Sequence, residues 1–418
     1  MLFSILFIGC ILAGIPIFVC LGIPPIVELF LAGDPIEGFA QTLYSGVDQY
    51  TLLAIPCFVL SGSIMGRSGI TEDLVDIMKA MVAKLPGGLA LVTILVCMFF
   101  AAISGSGPAT VAAVGALLIP AMADEGYDKD FAAAVSASGG VLGVLIPPSN
   151  PMIIYGVIAS VSIGDMFIAG ILPGIFMATM LMIPAFIISS RRGYGKGHPF
   201  SHKRVAQAIW KGKWSLMMPF IVLGGIYTGM VTPVEAAVMT VFYAIFVAMV
   251  VKRTLNLKGL WDSISEASGV CGGLVVIMGT AVFFGEFLTM NLVPQKVAAA
   301  ILGVVTNKYV LLLIIMGILI LLGTFMETLS TIMILAPILL PMVKSFGVDP
   351  IHFGVMLAMT SAVGMMTPPL GVNLFVACNL TGLKLESISK RAFPFIAFMI
   401  TGLFFVVFVP FLSLALIK

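Results

Sequence analysis

Small polar residues interrupt a long apolar stretch in the first half of the chain. Ser104-Gly105-Ser106-Gly107 follows an apolar run that begins at Gly88, and a second apolar run continues from it to Pro120. Hydroxyl and free backbone carbonyl oxygens can bind Na⁺ inside a membrane protein, and free N–H groups at a helix start attract anions. Glycine and serine also let membrane helices pack closely, so these four residues alone leave an ion site and helix packing equally open.

The spacing around this motif indicates a helical hairpin that enters the membrane and turns back. A spanning helix needs about 20 apolar residues, and the tip between the two legs is small and uncharged. Non-helical backbone at that depth is tolerated only where it is buried in protein or lines a wet cavity. A second interruption, at Gly143 and the pair Pro147-Pro148, breaks the next apolar segment. We therefore predict a re-entrant hairpin over 88–122 and a broken helix over 131–160.

The same Gly and Pro interruptions of apolar segments recur in the second half of the chain. A gap-free shift of 221 residues lays 91–173 on 312–394. Paired interrupted segments at matching positions of two halves are typical of a transporter binding site. We predict a second hairpin over 310–343 and a second broken helix over 352–382. The shift aligns Thr110 with Thr331, Pro120 with Pro341, Gly126 with Gly347, Asp128 with Asp349, Gly143 with Gly364, Pro147-Pro148 with Pro368-Pro369, and Pro173 with Pro394.

The composition predicts an all-α polytopic membrane protein. Of the 418 residues, 60% are hydrophobic and 10% are charged, with a mean hydropathy of +1.18. Soluble domains carry about a quarter charged residues, so that class is excluded. The six cysteines lie in apolar runs without the spacing of a metal site or a disulfide framework. The sequence contains no GxxxxGK[ST], GxSxG or HExxH motif, so we expect no ATP hydrolysis and no enzyme.

The distribution of basic residues predicts the orientation in the membrane. Segment 191–213 holds seven Lys or Arg and no acidic residue, which places it in the cytoplasm. A nucleic-acid patch does not fit a short loop between spans, and we expect no nucleic-acid partner. Counting spans from this loop puts the base of the first hairpin inside and that of the second outside. The two halves are therefore expected to be inverted repeats whose tips meet near the midplane.

Each half also holds other predicted elements. Residues 67–85 form an amphipathic arm helix that lies at the membrane interface, because its charges oppose burial. Residues 1–32 are expected to form two helices that turn at Gly14–Pro16, and 33–49 a polar loop. The predicted layout is a first repeat over 1–190, a basic cytoplasmic loop over 191–213 and a second repeat over 214–418, with arm helices at 67–85 and 291–307.

The breaks offer oxygen ligands but no cationic side chain. Neither tip nor either break contains Lys or Arg, so an anionic substrate would rely on N–H groups, hydroxyls and bound cations. The side-chain oxygens are those of Ser104, Ser106, Thr110, Ser149, Asn150, Thr324, Thr328, Thr331, Thr367 and Asn373, and backbone carbonyls are expected around Gly105, Gly107, Gly143, Gly323 and Gly364.

Acidic residues within the apolar segments are further candidates, because such groups are costly in lipid. Glu327 lies at the second tip, where a cation-linked role and a buried hydrogen-bonded role are equally open. A structural role is favoured for Glu286, a helix-start role after Thr232-Pro233 for Glu235, and an interfacial position for Glu28.

Over essentially its whole length the chain resembles the large membrane subunit of tripartite ATP-independent periplasmic (TRAP) transporters. Single motifs are weak, but their ordered set is specific. The set comprises Gly62–Thr71, Ser104–Thr110, Gly126-Tyr127-Asp128, Pro147-Pro148-Ser149, Tyr155-Gly156, Gly193-Tyr194, Thr232–Ala236, Gly285-Glu286, Gly323–Thr331 with Pro341, and Thr367-Pro368-Pro369.

This resemblance implies a secondary transporter of the bacterial inner membrane that imports organic acids together with Na⁺. It implies as partners a small four-helix membrane subunit and a soluble periplasmic binding protein, with the lipid bilayer as the surroundings. It also implies an elevator mechanism, in which hairpins and broken helices move as one body against a scaffold. The implied substrate is a C4-dicarboxylate, or a sialic or sugar acid.

The resemblance also implies the binding sites, with Na⁺ at each hairpin tip and its partner break, and substrate between them. The implied Na⁺ residues are Ser104, Gly105, Ser106, Gly107, Thr110, Gly143, Pro147 and Ser149 in the first repeat, and Gly323, Thr324, Glu327, Thr328, Thr331, Gly364, Thr367 and Pro368 in the second. The implied substrate residues are Ser106, Pro148, Ser149, Asn150, Thr328, Pro369 and Asn373.

Two alternative functions remain open at this point. The first is a stand-alone Na⁺/anion symporter of similar fold, which needs no binding protein. The second is a channel or a scaffold without transport activity. The channel or scaffold predicts that Ser104, Ser106 and Thr331 tolerate bulky apolar replacements, whereas ion sites do not.

Overall fold

The computed structural model is helical throughout the residues that it describes, which are 2–33, 37–82, 87–195, 201–293, 296, 307–369 and 371–417. The helices of the first half are α1 Leu2–Leu12, α2 Ile17–Ala32, α3 Glu37–Val47, α4 Ala54–Gly66, α5 Ile70–Val82, α6 Gly88–Ser104, α7 Gly107–Asp124, α8 Lys129–Gly140, α9 Asn150–Ala159 and α10 Ile163–Arg192.

From its hairpin onward, the second half repeats the order of the first. Its helices are α11 His202–Lys211, α12 Lys213–Tyr227, α13 Pro233–Ile245, α14 Leu257–Met290, α15 Lys308–Gly323, α16 Thr328–Ser345, α17 Pro350–Gly364, α18 Val372–Thr381, α19 Leu385–Phe408 and α20 Phe411–Leu414. Short 3₁₀ turns precede α4 and follow α8, and a π turn over Phe246–Val251 extends α13.

The helix lengths are those of a multi-pass membrane protein. Within the described ranges, six helices are long and apolar enough to span a bilayer, or seven if the pair Gly38–Val47 and Tyr50–Gly66, bent by 51°, is one span. Both hairpins are confirmed, as α6–α7 and α15–α16, and each turns at a short non-helical tip. Both broken helices are confirmed as well, as α8–α9 and α17–α18.

The half-helix that follows each break packs against the other repeat. Helix α9, which follows the first break, packs against α16 of the second hairpin, and α18 packs against α7 and α8 of the first repeat. Each break itself lies beside the hairpin of its own repeat, and the half-helix that follows it packs on the other repeat. The buried apolar core is continuous across both repeats, so the tips and breaks lie inside one packed body.

The bases of the two hairpins lie at opposite ends of α19. Near its start, Arg391 donates to Asp130 (Nε to Oδ2, 2.9 Å), at the base of the first hairpin. Just beyond its end, Ser413 Oγ lies 2.8 Å from Nδ1 of His352, which follows the second hairpin. A helix of 24 residues is about 36 Å long, enough to cross the hydrocarbon core. The hairpins therefore enter the fold from opposite sides.

The helical arm differs from its prediction in one respect. Asp73 of α5 is buried, although we expected the charges of the arm to stay at the interface. Its Oδ2 lies 2.5 Å from Lys252 Nζ and accepts a hydrogen bond of 2.7 Å from Ser215 Oγ. The Lys252 ammonium also donates to the Gly69 carbonyl (2.6 Å). A buried charge is tolerated because it is paired, and this pair fixes the arm to α12 and to the segment after α13.

One other prediction was wrong and two were confirmed. The predicted polar loop over 33–49 contains α3. The basic segment 191–213 contains the short helix α11, and its cytoplasmic location stays a prediction. Residues 1–32 do form two helices that turn between Leu12 and Ile17. Glu235 accepts from the Thr232 backbone N–H (2.7 Å) in a capping box, as expected for a helix-start acid. The predicted second arm, 291–307, lies largely outside the described residues.

Candidate functional site

The first hairpin turns on Gly105. This residue is the C-cap of α6 and has a left-handed backbone conformation (φ 59°). Ser106, the N-cap of α7, follows in an extended conformation. A Cβ on Gly105 would lie 3.0 Å from the Pro148 carbonyl oxygen, so glycine satisfies both the backbone angle and the close approach of the broken helix. The Asn150 N–H donates to the Gly105 carbonyl (3.4 Å), which joins the tip to the first break.

Three oxygen atoms meet behind this tip. Thr110 Oγ1 donates to the Ser106 carbonyl (2.8 Å) and lies 2.9 Å from Ser104 Oγ, which is itself 3.3 Å from the same carbonyl. Ser104 and Thr110 are buried. Gly143 closes the cluster, since a Cβ there would lie 2.3 Å from the Ser106 carbonyl oxygen and 2.7 Å from Thr110 Oγ1. Two hydroxyls and a carbonyl at this spacing form a donor set suited to Na⁺.

The first break is buried and polar. Its Pro147-Pro148 peptide is cis, and Ser149 Oγ donates to the Val144 carbonyl (2.6 Å), which the end of the preceding helical segment leaves free. Pro147 itself lines a separate apolar cavity with Met98 and Tyr227, so it shapes the bend and lies outside the oxygen cluster.

The second tip repeats the main contact of the first. Thr331 Oγ1 donates to the Glu327 carbonyl (3.1 Å), the same pair of positions as Thr110 and Ser106 in the 221-residue register. Thr324 Oγ1 donates to the Leu321 carbonyl (2.7 Å). Gly364 lies against this tip, since a Cβ on it would be 2.6 Å from the Gly323 Cα. Gly143 and Gly364 are thus points of close backbone approach, and the role of the predicted glycines in ion binding stays a prediction.

The second break is more accessible than the first. Pro368-Pro369 is also cis, and Thr367 Oγ1 donates to the Val363 carbonyl (2.8 Å). However, Pro368 and Pro369 are exposed where Pro147 and Pro148 are buried. The two candidate Na⁺ sites therefore share a cis proline peptide at the break and a threonine–carbonyl contact at the tip. They differ in the length of the tip, in the left-handed Gly105 of the first tip, and in their access to the surface.

Met365 joins the two halves of the site and was not predicted from the sequence. Thr328 Oγ1 lies 2.9 Å from its Sδ, and the Asn373 N–H donates to its carbonyl (3.3 Å). A Cβ on Gly107 would lie 3.2 Å both from Met365 Cε and from Asn373 Oδ1. Residues of the second repeat therefore contact the tip of the first hairpin.

Among the described residues, two buried amide oxygens near the first tip, Asn150 Oδ1 and Asn373 Oδ1, have no hydrogen-bond partner. Asn373 uses its amide N–H to bond the Ala137 carbonyl (3.2 Å), which fixes the orientation of its free oxygen. Buried acceptors without a partner are costly, and a bound cation or donor would satisfy them.

A cavity of about 330 Å³ reaches the first tip. From the two repeats it is lined by residues 104–109, Asn150, Glu327 and Met365. Its other wall consists of α4 and α14, where Arg67 Nη2 lies 2.9 Å from Glu266 Oε2 and Ser63 Oγ donates to the same oxygen (2.8 Å). Neither Arg67 nor Glu266 was among the predicted site residues.

Other candidate acids lie outside this cavity. Glu286 accepts from Thr42 Oγ1 (2.9 Å), and Glu28 accepts from the Phe3 N–H (2.8 Å), so both have structural partners. The described residues contain no group of three or more His, Cys, Asp or Glu arranged to hold a metal ion. The arrangement therefore offers hydroxyl, carbonyl and amide oxygens around one cavity, with a single ion pair on the facing wall.

Comparisons with solved structures agree with this fold. The YdaH transporter of Alcanivorax borkumensis superposes with a TM-score of 0.65 at 15% identity, covering 90% of this chain and 88% of that one. MtrF of Neisseria gonorrhoeae superposes with a TM-score of 0.59 at 14% identity, covering 89% of this chain and 83% of that one. At these identities the likeness concerns the fold alone.

Sequence comparisons show the family. A 45% identical relative is the isethionate TRAP transporter permease protein DctMQ of Oleidesulfovibrio alaskensis, matched over 96% of this chain but 63% of its own length. The C4-dicarboxylate TRAP transporter large permease protein DctM of Pseudomonas aeruginosa is 37% identical over 93% of this chain and 91% of its own length. The sialic acid TRAP transporter large permease protein SiaM of Vibrio cholerae is 34% identical, also over 93% and 91%.

A family model of the tripartite ATP-independent periplasmic transporter, DctM component, matches residues 4–412. This match and the large permease relatives cover nearly the whole chain, and six or more helices can span a bilayer. The chain belongs to the DctM family, the large membrane component of TRAP transporters, and is a multi-pass inner-membrane protein.

Proposed function

We propose that this protein imports a small organic acid in symport with Na⁺, by an elevator movement of its hairpins and broken helices. The observation that carries the proposal is the hydroxyl–carbonyl contact that recurs at both tips, Thr110 to Ser106 and Thr331 to Glu327. Gly143 of the first break lies beside the first contact, and Gly364 of the second break lies against Gly323, at the start of the second tip. Two corresponding contacts, the first at a cavity that Glu327 of the second tip also lines, support ion-coupled transport more than they support a channel.

The Na⁺ sites would use the predicted residues as ligands or as spacers. In the first repeat, the carbonyl of Ser106 and the hydroxyls of Ser104 and Thr110 supply oxygen. In the second, the Glu327 carbonyl and the Thr331 hydroxyl do so. Gly143 and Gly364 act as spacers, because only a residue without a side chain permits the close approach of each break.

The substrate would occupy the cavity at the first tip, which Glu327 and Met365 of the second repeat also line. Its volume of about 330 Å³ suits a small acid. The Asn150 and Asn373 amides and the Thr328 hydroxyl lie where the repeats meet. The names of the relatives cover isethionate, C4-dicarboxylates, 2,3-diketo-L-gulonate and sialic acid. We propose a small organic anion of this range, with isethionate and C4-dicarboxylates to be tested first.

The orientation follows from charge and from the ends of α19. Gly87 N–H, at the base of the first hairpin, donates to the Tyr194 carbonyl (3.0 Å), next to the start of the basic segment. We therefore propose that this base lies on the cytoplasmic side and that the base of the second hairpin, at the opposite end of α19, lies outside. We propose 1–190 and 214–418 as the inverted repeats that alternating access requires.

The partners are proposed from the family. A tripartite transporter implies a small membrane subunit and a periplasmic substrate-binding protein, and we propose both for this chain. The small subunit is expected to contain four helices. The alternative, a stand-alone symporter of similar fold, differs in needing no binding protein, and this difference decides the experiment.

The experiment is uptake into proteoliposomes that hold this chain and its small membrane partner. Labelled isethionate, succinate and sialic acid are offered with and without the cognate binding protein, and with and without an inward Na⁺ gradient. Uptake that needs both would support the proposal, whereas Na⁺-driven uptake without the binding protein would favour the stand-alone symporter. The variant Ser106→Leu, which places an apolar side chain at the tip, should fold and lose uptake. Normal uptake by this variant would contradict the Na⁺-site assignment.

A further inference from the structure

Arg67 stands on the wall that faces the hairpin tip. It follows Gly66, the last residue of α4, and Gly62 of the same helix packs against the tip, since a Cβ there would lie 3.2 Å from Ser104 Cα. The Arg67 guanidinium is therefore held at the cavity without belonging to either hairpin or either broken helix. Its partner Glu266 comes from α14, which packs against α4.

The charges that line the cavity do not suit an anion without Arg67. Among the described residues that line it, the charged ones are Arg67, Glu266 and Glu327, which sum to −1. An incoming carboxylate or sulfonate would meet two negative side chains and one positive one. Arginine presents a planar fork of N–H donors that matches both kinds of anion, and it stays charged at any relevant pH.

The existing ion pair is suited to exchange. The side chains of Arg67 and Glu266 are 45% and 54% exposed, and a pair that solvent reaches to this extent contributes little net stability. An acid with better geometry could therefore replace Glu266 on Arg67. Glu266 would keep the hydrogen bond from Ser63 Oγ when the exchange occurs, so its carboxylate is not left without a partner.

The position of Arg67 assigns it to one side of the membrane. Gly69, two residues further on, accepts from Lys252 Nζ (2.6 Å), at the start of the basic loop 252–258. That loop is cytoplasmic by its charge. Arg67 therefore lies at the cytoplasmic end of the cavity, between the first tip and the interior of the cell.

We propose that Arg67 binds the acidic group of the transported anion at the cytoplasmic end of the cavity, and that Glu266 is the internal counter-ion that the anion displaces. This inference rests on the proposed function. It adds a residue of the fixed wall to a site that otherwise consists of hairpin and broken-helix residues. Because α4 and α14 carry the pair, Arg67 meets the anion only when the moving body faces the cytoplasm.

The test is binding of labelled isethionate and succinate, in Na⁺, to the complex of this chain and its membrane partner in nanodiscs. Arg67→Gln should weaken binding at least tenfold. Arg67→Lys should weaken it less, because lysine keeps the positive charge but lacks the paired N–H donors of the guanidinium. Glu266→Gln should tighten binding about threefold or more, since it removes the negative charge that pairs with Arg67 and keeps the size of the side chain. Lys390→Gln, which breaks an exposed pair of the same 2.9 Å length with Glu386, is the matched control and should change nothing.

The opposite changes in affinity expected for Arg67→Gln and Glu266→Gln separate a binding role of Arg67 from a structural one. If the pair only holds α4 against α14, Arg67→Gln and Glu266→Gln both break it and must shift affinity in the same direction, which would overturn the inference. Unchanged binding in Arg67→Gln would overturn it as well, while leaving the proposed function intact. If the wild-type complex binds and transports neither these anions nor sialic acid, the proposed function fails, and the inference fails with it.

Discussion

The substitution Gly143→Ala tests the first Na⁺ site with a single methyl group. The added Cβ would lie 2.3 Å from the Ser106 carbonyl oxygen and 2.6 Å from its carbon, whereas ordinary contacts begin at 3.4 Å. The difference, 3.4 − 2.3, means that the carbonyl must retreat by about 1.1 Å. Binding groups must keep their geometry to within about 0.5 Å, so the ion would lose this ligand.

The cost can be converted into a change of affinity. Overpacking of this kind costs about 1–3 kcal/mol. In the Na⁺-free variant the Ser106 carbonyl moves away and relieves the clash. Na⁺ binding must bring the carbonyl back, so the free energy of the clash is subtracted from the free energy of Na⁺ binding. With about 1.4 kcal/mol for each factor of ten, the half-saturating Na⁺ concentration should rise about 5- to 140-fold.

The assay is Na⁺-dependent uptake in proteoliposomes, with the melting temperature of the purified protein as a check on folding. Gly317→Ala is the matched control, because a Cβ there meets no described atom within 4 Å and alanine favours a helix. Gly143→Ala should fold and require more Na⁺, while Gly317→Ala should behave as the wild type. An unchanged Na⁺ requirement in folded Gly143→Ala would refute the placement of the ion at the Ser106 carbonyl.

Three further predictions concern other parts of the fold. Thr331→Leu removes the hydroxyl of the second tip and should abolish uptake in a protein that still reaches the membrane; retained uptake would count against the second Na⁺ site. Asp73→Asn leaves Lys252, whose side chain is 16% exposed, without its counter-ion. Breaking a mostly buried pair of this kind costs up to about 3–5 kcal/mol, so the melting temperature should fall measurably, and no change would show that solvent already reaches the pair. In a background without the native cysteines, an impermeant maleimide applied outside should label Ser345→Cys and spare Asp124→Cys, and equal labelling would contradict the inverted repeats.

Much of the architecture follows from the sequence because membrane helices are defined by local composition. Apolar length and the Gly and Pro interruptions predicted both hairpins and both broken helices, since lipid offers the backbone no partner outside a helix. The gap-free shift of 221 residues paired Thr110 with Thr331 before any contact was known, and both hydroxyls make the same bond. The polar segment 33–49 was misjudged, because α3 is helical although its composition resembles a loop.

The pairing of distant residues was decided by the tertiary structure alone. The sequence showed that neither tip nor either break contains a cation, but only packing brings Arg67 and Glu266, 199 positions apart, to the cavity wall. It likewise places Asn373 against Gly107 and buries Asp73 against Lys252. Periodicity and charge report what one helix presents to its surroundings, whereas these contacts depend on how several helices pack, and no local pattern records that packing.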